Sequence, residues 1–244
     1  DEPALERGEL NAADDDEQLL VPRSLSVPSN LFFTGTVNID ETTHMFSPKV
    51  LDRAFVIELN EVDLSGYGKR ARGQTTLRLP GFNGLSRHGK PDAKDWDALE
   101  DEEEGALRKS VIDLQGILEQ DNRHFGFRVA NEIARFVLLA KQQAPEHDGI
   151  RWTALDIAML TKVLPKLHGT QQELEEILAR LHAFTMSADQ NGPVPVLVQW
   201  ALRGGLMVGV GGETSITIRL PRSAAKLWRM RRRLERQGFT SFIE

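Results

Sequence analysis

The chain has 244 residues, of which 40% are hydrophobic, and its formal net charge is −6. This length accommodates two modest domains with ordinary cores. The sequence contains no cysteine, which excludes disulfides and thiolate metal sites, and its six histidines are scattered singly, so we expect no metal centre. The longest apolar stretch, residues 194–210, falls short of the roughly twenty residues that a membrane-spanning helix needs. We therefore expect a cytoplasmic protein without a membrane segment.

Residues 31–37 predict a strand of a parallel sheet. They are almost continuously apolar and partly aromatic or β-branched, which is typical of strands covered on both faces. Asn38 follows at the carboxyl end of this strand, the edge at which open α/β sheets place their ligands. Its amide is therefore a candidate to orient a water or a phosphate, and a simple turn residue is the alternative.

Ser47 and Pro48 predict the start of a short helix, because Ser caps the free amides and Pro at the first helical position loses no hydrogen bond. Residues 54–59 then predict another strand. Arg53 lies at the junction between the helix and this strand. From the residues alone, an ordinary surface ion pair is the alternative to a functional role for Arg53.

With the strand, Asn38, the Ser-Pro helix and Arg53 in this order and spacing, residues 27–54 closely resemble the second half of an AAA+ NTPase core of the McrB-like type. The resemblance implies that Asn38 is the sensor 1 residue, which positions the attacking water. It also implies that Arg53 is an arginine finger, which acts in trans on the γ-phosphate of the neighbouring subunit.

From residue 106 onward the apolar periodicity becomes helical. We predict helices over about 127–143 and 223–237, a helix opened by Thr153, a helix opened by the capping box of Thr170 and Glu173, and a short strand within 214–220. These helices fit a small α-helical lid.

Residues 125–136 also resemble the lid of McrB-like proteins. The resemblance places Arg128 where AAA+ lids keep a second sensor arginine, and so implies that it binds a nucleotide phosphate. A cation near a helix N-terminus is disfavoured by the helix dipole, which indicates a nearby anion. From the residues alone, that anion is a phosphate, Asp121 or Glu132.

The predicted fold class is α/β: the C-terminal part of an AAA+ P-loop NTPase core with parallel strands, followed by an α-helical lid. We assign residues 1–60 to the core, 61–105 to a flexible insertion or linker, and 106–244 to the lid and C-terminal helix. The only string with P-loop spacing, residues 84–91, has Pro91 where the Mg²⁺-binding hydroxyl belongs. We therefore expect ATP or GTP with Mg²⁺ to bind only when the missing half of the core is present, and no activity from this chain alone.

The family implies a ring, usually a hexamer, that couples NTP hydrolysis to remodelling or to DNA restriction in defence, often with a nuclease-type partner. The chain would be a fragment, a split gene product or a degenerate relative of such a subunit. Two alternatives stay open. One is a non-catalytic interaction or adaptor module, and the other is a DNA-binding protein that uses the basic C-terminal segment from Arg219 to Arg236.

Overall fold

The computed structural model describes residues 27, 31–37, 46–59, 93–101, 105–187 and 217–243. The predictions for Asn38, for the string 84–91 and for the apolar stretch 194–210 lie outside these residues. The chain divides into two compact units, one of residues 1–37 and 68–90 and the other of residues 38–67 and 91–244.

In the first unit, the described residues 31–37 form no strand. Their side chains are exposed, and that of Phe33 is 85% exposed. No partner strand covers this apolar segment within the part of the unit that the structure describes. The parallel sheet of the predicted α/β core therefore stays a prediction.

The second unit is mainly helical. Its described α-helices are α1 (Pro48–Leu51), α2 (Ala93–Ala98), α3 (Ala106–Glu119), α4 (Phe127–Gln143), α5 (Ile150–Ala158), α6 (Gln171–Phe184) and α7 (Pro221–Gln237). A 3-10 turn at Leu99–Asp101 follows α2, and α5 continues into a π-helix at Met159–Val163 and a 3-10 turn at Leu164–Lys166. None of the described helices combines the length and the apolar character needed to cross a membrane.

Two antiparallel pairs of short strands join the helices of this unit. Strand β1 (His168–Thr170) pairs with β4 (Phe239–Ser241), and β2 (Met186–Ser187) pairs with β3 (Thr217–Ile218). The backbone N–H of Gln171 also donates to the carbonyl of Gly238 at 2.9 Å. The first pair therefore ties the start of α6 to the end of α7.

Several helix boundaries follow from local sequence signals. Helix α4 covers residues 127–143 as predicted. The capping box also forms, because the Thr170 backbone N–H donates to the Glu173 carboxylate at 2.8 Å. Gly238 ends α7 with a φ of 72°, a left-handed conformation that favours glycine.

Helix α5 departs from its predicted start. It begins at Ile150 after Gly149, which has a φ of 73°, so Thr153 lies inside the helix and does not open it. Asp156, three residues further on, is fully buried and caps a different helix. Its carboxylate accepts the backbone N–H groups of Arg222 and Ser223 at 2.8 Å each, at the start of α7.

The helical unit starts before residue 106. Helix α2 and the turn after it lie within the range 61–105, which the sequence assigns to a flexible linker. Leu99 is fully buried in the same core as Leu107, Leu114 and Ile133, and Trp96 packs against it. Apolar burial of this kind stabilises a folded segment, so the described residues 93–101 belong to the helical unit.

His182 gives the helical unit a predicted acid sensitivity. Burial, together with the nearby Arg231 guanidinium, lowers the pKa of His182 from 6.5 to about 4. Between these values the unfolded chain binds the proton and the folded chain does not, so the free energy of unfolding falls as the pH falls from 6.5 to 4. This contribution amounts to about 2–3 kcal/mol.

Denaturant unfolding at pH 7, 5 and 4 tests this prediction. Carboxylates titrate over the same range, so the informative comparison is with His182→Gln, which cannot gain the proton. We expect this variant to be less stable at pH 7 but to lose less stability on acidification. Parallel pH profiles for the two proteins would contradict the assignment.

Candidate functional site

Residues 46–59 form an arm that packs on the helical unit. Helix α1 begins in this arm after Ser47, whose carbonyl accepts the N–H groups of Val50 and Leu51 at 2.9 and 3.2 Å. Residues 54–59 follow outside any helix or strand, and the Val56 N–H donates to the carbonyl of Thr161 at 2.8 Å. The sequence predicts a strand over 54–59, but the structure assigns no strand to these residues, and Val56 bonds to the π-helix region instead of to a described strand.

The arm has an outer and an inner face. Arg53, Phe55, Ile57 and Leu59 are exposed, whereas the intervening residues, such as Val56, are turned towards the helices. This alternation has the period of two that an extended chain imposes. Ile57 and Leu59 are the most exposed of these side chains, whereas the Phe55 ring also contacts Phe136, with 5.9 Å between the ring centres.

Asp52, the residue before Arg53, is bound by two cations of the helical unit. The Arg128 Nη2 atom donates to the Asp52 carboxylate at 2.6 Å and to the Asp52 carbonyl at 3.0 Å. Lys166 binds the other carboxylate oxygen. Burial alone would raise the pKa of Asp52, but Lys166, Arg128 and the nearby Lys162 outweigh it and hold that pKa below its usual value.

Lys162 is a third cation beside the arm, and its side chain is fully buried. Its Nζ atom lies 2.5 Å from the Glu132 carboxylate and 3.3 Å from the carbonyl of Ala54. It also lies 4.7 Å from the centre of the Phe55 ring. We refer to Arg128, Lys162 and Lys166 as the basic cluster.

Further along the arm, Lys226 of α7 binds Glu58. Its Nζ atom lies 2.8 Å from both Glu58 carboxylate oxygens and 4.4 Å from the centre of the Phe242 ring. The Lys226 side chain is only 1% exposed. A charge removed from water to this extent depends on its partner, so this pair fixes the C-terminal end of the arm.

Two of the three predicted site residues lie within the described residues. Arg53 is exposed, and its guanidinium has no ion pair or hydrogen bond to another described residue. Arg128 contacts Asp52, with Glu132 a more distant partner at 3.7 Å, while Asp121 pairs with Arg180. The structure thus brings Arg128 to the residue next to Arg53.

Several cations of the basic C-terminal segment contact other groups of the unit. Arg219 lies between the rings of Trp152 and Phe184, with its guanidinium carbon 5.0 and 5.2 Å from their centres. The Arg231 guanidinium lies 3.2 Å from Nδ1 of His182. Arg232 stacks on Trp228, and Lys226 binds Glu58. These cations are used in packing, which the sequence pattern alone does not reveal.

A mostly apolar pocket of about 450 Å³ lies beside the N-terminus of α4. Trp96, Ile112 and Phe127 line it together with the polar side chains of His124 and Asn131. It contains neither Arg53 nor Arg128. Within the described ranges, no three His, Asp or Glu side chains are grouped so that they could hold a metal ion.

Residues 87–239 match the family model described as Domain of unknown function (DUF8727). The matched range contains α2 to α7, including the basic cluster and Lys226, but not the arm. Comparisons with curated proteins and with solved structures found no match. Because the matched range covers more than half of the chain, the protein belongs to the DUF8727 family.

Proposed function

We propose that the chain is the C-terminal portion of a McrB-like AAA+ NTPase subunit, which acts in a cytoplasmic ring. The observation that carries this proposal is the position of Arg53. Its guanidinium is exposed, while the preceding residue, Asp52, is held on the helical unit by Arg128 and Lys166. An arginine presented outward from a fixed base is what completion of a neighbouring subunit's phosphate site requires.

The exposed apolar residues support the same proposal. In the first unit Leu31, Phe32, Phe33 and Val37 are exposed, and in the arm of the second unit Ile57 and Leu59 are exposed. Several large apolar side chains exposed close together in the chain are uncommon on an isolated folded protein and mark a contact surface. A strand of an AAA+ core whose neighbouring strands belong to the phosphate-binding half would expose apolar side chains of this kind in the absence of that half. In this proposal ATP or GTP with Mg²⁺ binds to the complete core, and a nuclease-type partner or DNA is engaged by the whole ring.

A non-catalytic adaptor is the second candidate, and the same apolar face of the arm favours it. In that case the face would bind a partner protein without any nucleotide. DNA binding through α7 has less support, because several of its cations are already paired with other groups of the unit. A nucleotide requirement for assembly of the intact protein distinguishes the NTPase from the adaptor.

This chain alone is expected to bind neither ATP nor GTP appreciably. Its sequence lacks a P-loop, and it lacks an apolar strand that ends in the acidic residues that organise Mg²⁺. Titration calorimetry with each nucleotide in Mg²⁺ buffer measures this directly. The intact protein, with its phosphate-binding half, is the positive control. Micromolar affinity of the chain alone would contradict the proposal, and so would an upstream coding sequence that lacks an in-frame P-loop.

A further inference from the structure

The helical unit binds the arm through backbone groups as well as side chains. The Arg128 guanidinium donates to the carbonyl of Asp52 at 3.0 Å, and the Lys162 ammonium donates to the carbonyl of Ala54 at 3.3 Å. Sites that bind peptides likewise take their affinity from main-chain hydrogen bonds and their specificity from alternate side chains. The arm alternates in this way, because residues 52, 54, 56 and 58 are partly buried while the residues between them are exposed.

Pro165 explains a third backbone contact. In an α-helix the N–H of residue 165 would donate to the carbonyl of Thr161, but proline has no N–H and its ring crowds that carbonyl. The chain instead forms a π-helix at Met159–Val163, followed by a 3-10 turn. The Thr161 carbonyl accepts the Val56 N–H at 2.8 Å. The sequence of the helical unit therefore provides an acceptor for the backbone of the arm.

Carboxylates bind at both ends of this stretch of the arm. Asp52 pairs with Arg128 and Lys166, and Glu58 pairs with Lys226, whose side chain is only 1% exposed. Removal of the carboxylate from a buried, hydrogen-bonded charge pair is costly, so the Glu58 position in particular requires an acidic residue. The bound stretch has the pattern Asp-x-Ala-x-Val-x-Glu, in which every second residue contacts the unit.

The arm and the residues that bind it are separate parts of the chain. The binding residues, which we call the arm site, are Arg128, Thr161, Lys162, Lys166 and Lys226. They all lie within residues 87–239, the range that matches the family model, whereas the arm lies before it. Each contact is a hydrogen bond or an ion pair and does not depend on a covalent connection between the two parts. A free peptide with the sequence of the arm can therefore make the same contacts.

We propose that the helical unit is a peptide-binding module, that its ligand is an acidic segment with the pattern Asp-x-Ala-x-Val-x-Glu, and that the arm is the ligand that occupies it in this chain. Ile57 and Leu59 lie outside the recognised positions, since their side chains are 74% and 89% exposed. Such a module needs neither nucleotide nor ring assembly, so it goes beyond the proposed function. Asp52 stays bound in it, so Arg53 keeps its fixed base.

A fluorescent peptide of residues 46–59 tests this module with the full chain. In the chain variant Asp52→Asn/Glu58→Gln the chain's own arm is weakened, so the arm site is open to the added peptide. We expect this variant to bind the peptide at least about tenfold more tightly than the unmodified chain, in which the linked arm competes at high effective concentration. Fluorescence anisotropy measures both affinities. Equal affinities would overturn the proposal.

Substitutions in the peptide test the pattern on the same chain variant. A peptide with Asp52→Asn/Glu58→Gln should bind at least about 30-fold more weakly, because Lys226 then lacks a carboxylate. A peptide with Ile57→Ser/Leu59→Ser is the matched control and should bind like the unmodified peptide, because it changes only exposed positions. The pattern is wrong if the two substituted peptides bind alike.

Methylation of the Val56 nitrogen in the peptide tests the backbone contact. It removes the hydrogen bond to the Thr161 carbonyl and keeps every charge, so binding should weaken by about tenfold. If the methylated peptide binds as well as the unmodified one, the attraction is only electrostatic and the arm site is not a peptide-binding module.

Cleavage of the chain provides a measurement that needs no substitution in the arm. A specific protease site inserted after Lys90 allows the chain to be cut between the arm and the matched domain's helices. We expect the two fragments to stay associated, and an excess of the arm peptide to separate them where the methylated peptide at the same concentration does not. Size-exclusion chromatography distinguishes these results. Fragments that separate on cleavage alone, or that stay together in excess arm peptide, would contradict the module.

Discussion

Arg53→Ala is expected to lower NTP turnover of the intact protein by about 10³-fold or more, the usual scale for an arginine finger. Nucleotide binding should be largely unchanged, because Arg53 would act on the transition state in a neighbouring subunit. Steady-state hydrolysis and equilibrium nucleotide binding measure the two effects separately. Lys49→Ala is a matched control, since it removes an exposed cation from helix α1 of the same arm. Arg53→Lys should stay impaired, because lysine keeps the charge but loses the planar fork.

Mixed rings show where Arg53 acts. One subunit type would lack the P-loop lysine of the intact protein, and the other would lack Arg53. If Arg53 acts across the interface, some junctions pair an intact P-loop with an intact arginine, and part of the activity returns. No recovery in rings that demonstrably mix would show that Arg53 is structural. Asn38→Ala should also slow hydrolysis, but as a sensor 1 residue it should impair its own subunit's site.

The sequence predicts those parts of the helical unit that depend on local interactions. The apolar spacing defines α4, and the side chains of Thr170 and Glu173 define the start of α6. Gly238 ends α7 because a left-handed residue is needed there. Each of these signals is contained within a few residues, so no knowledge of the tertiary fold is required.

Local sequence signals do not predict the partner of a side chain that bonds to an element far away in the chain. Asp156 looks like part of a local helix start after Thr153, but its carboxylate caps α7, whose first residues are more than sixty positions away. Arg128 likewise finds its main partner 76 residues away, in Asp52. The nearby acidic residues that the sequence suggests for it are Asp121 and Glu132. Asp121 pairs with Arg180, and Glu132 lies closer to Lys162 than to Arg128.

Buried cations are the other feature that the sequence conceals. Lys162 and Lys226 are among the largest fully buried side chains of the described unit. In the sequence, Lys226 is one of many cations in a basic segment, which usually indicates a solvated face. Its burial depends on Glu58 of the arm and on Phe242 after α7, and no local pattern links these three residues.

Glu58→Ala is expected to lower the free energy of unfolding by about 3–5 kcal/mol, because it leaves the buried Lys226 ammonium without its carboxylate. Chemical denaturation at pH 7 measures this loss. Glu176→Ala is the matched control, since Glu176 pairs with Arg180 at 3.2 Å with a side chain that is 83% exposed. Removal of such an exposed partner should change the stability by less than about 1 kcal/mol.

The double variant Glu58→Leu/Lys226→Met distinguishes the cost of leaving the Lys226 ammonium unpaired from the cost of removing both charges. It removes both charges and keeps apolar volume beside Phe242, so the desolvation cost of the ammonium disappears together with the attraction. We expect it to be more stable than Glu58→Ala and to lie within about 2 kcal/mol of the unmodified chain. If Glu58→Ala costs no more than Glu176→Ala, Lys226 does not depend on Glu58, and the arm is not fixed at this end. If the double variant is as unstable as Glu58→Ala, the loss comes from packing and not from an unpaired charge.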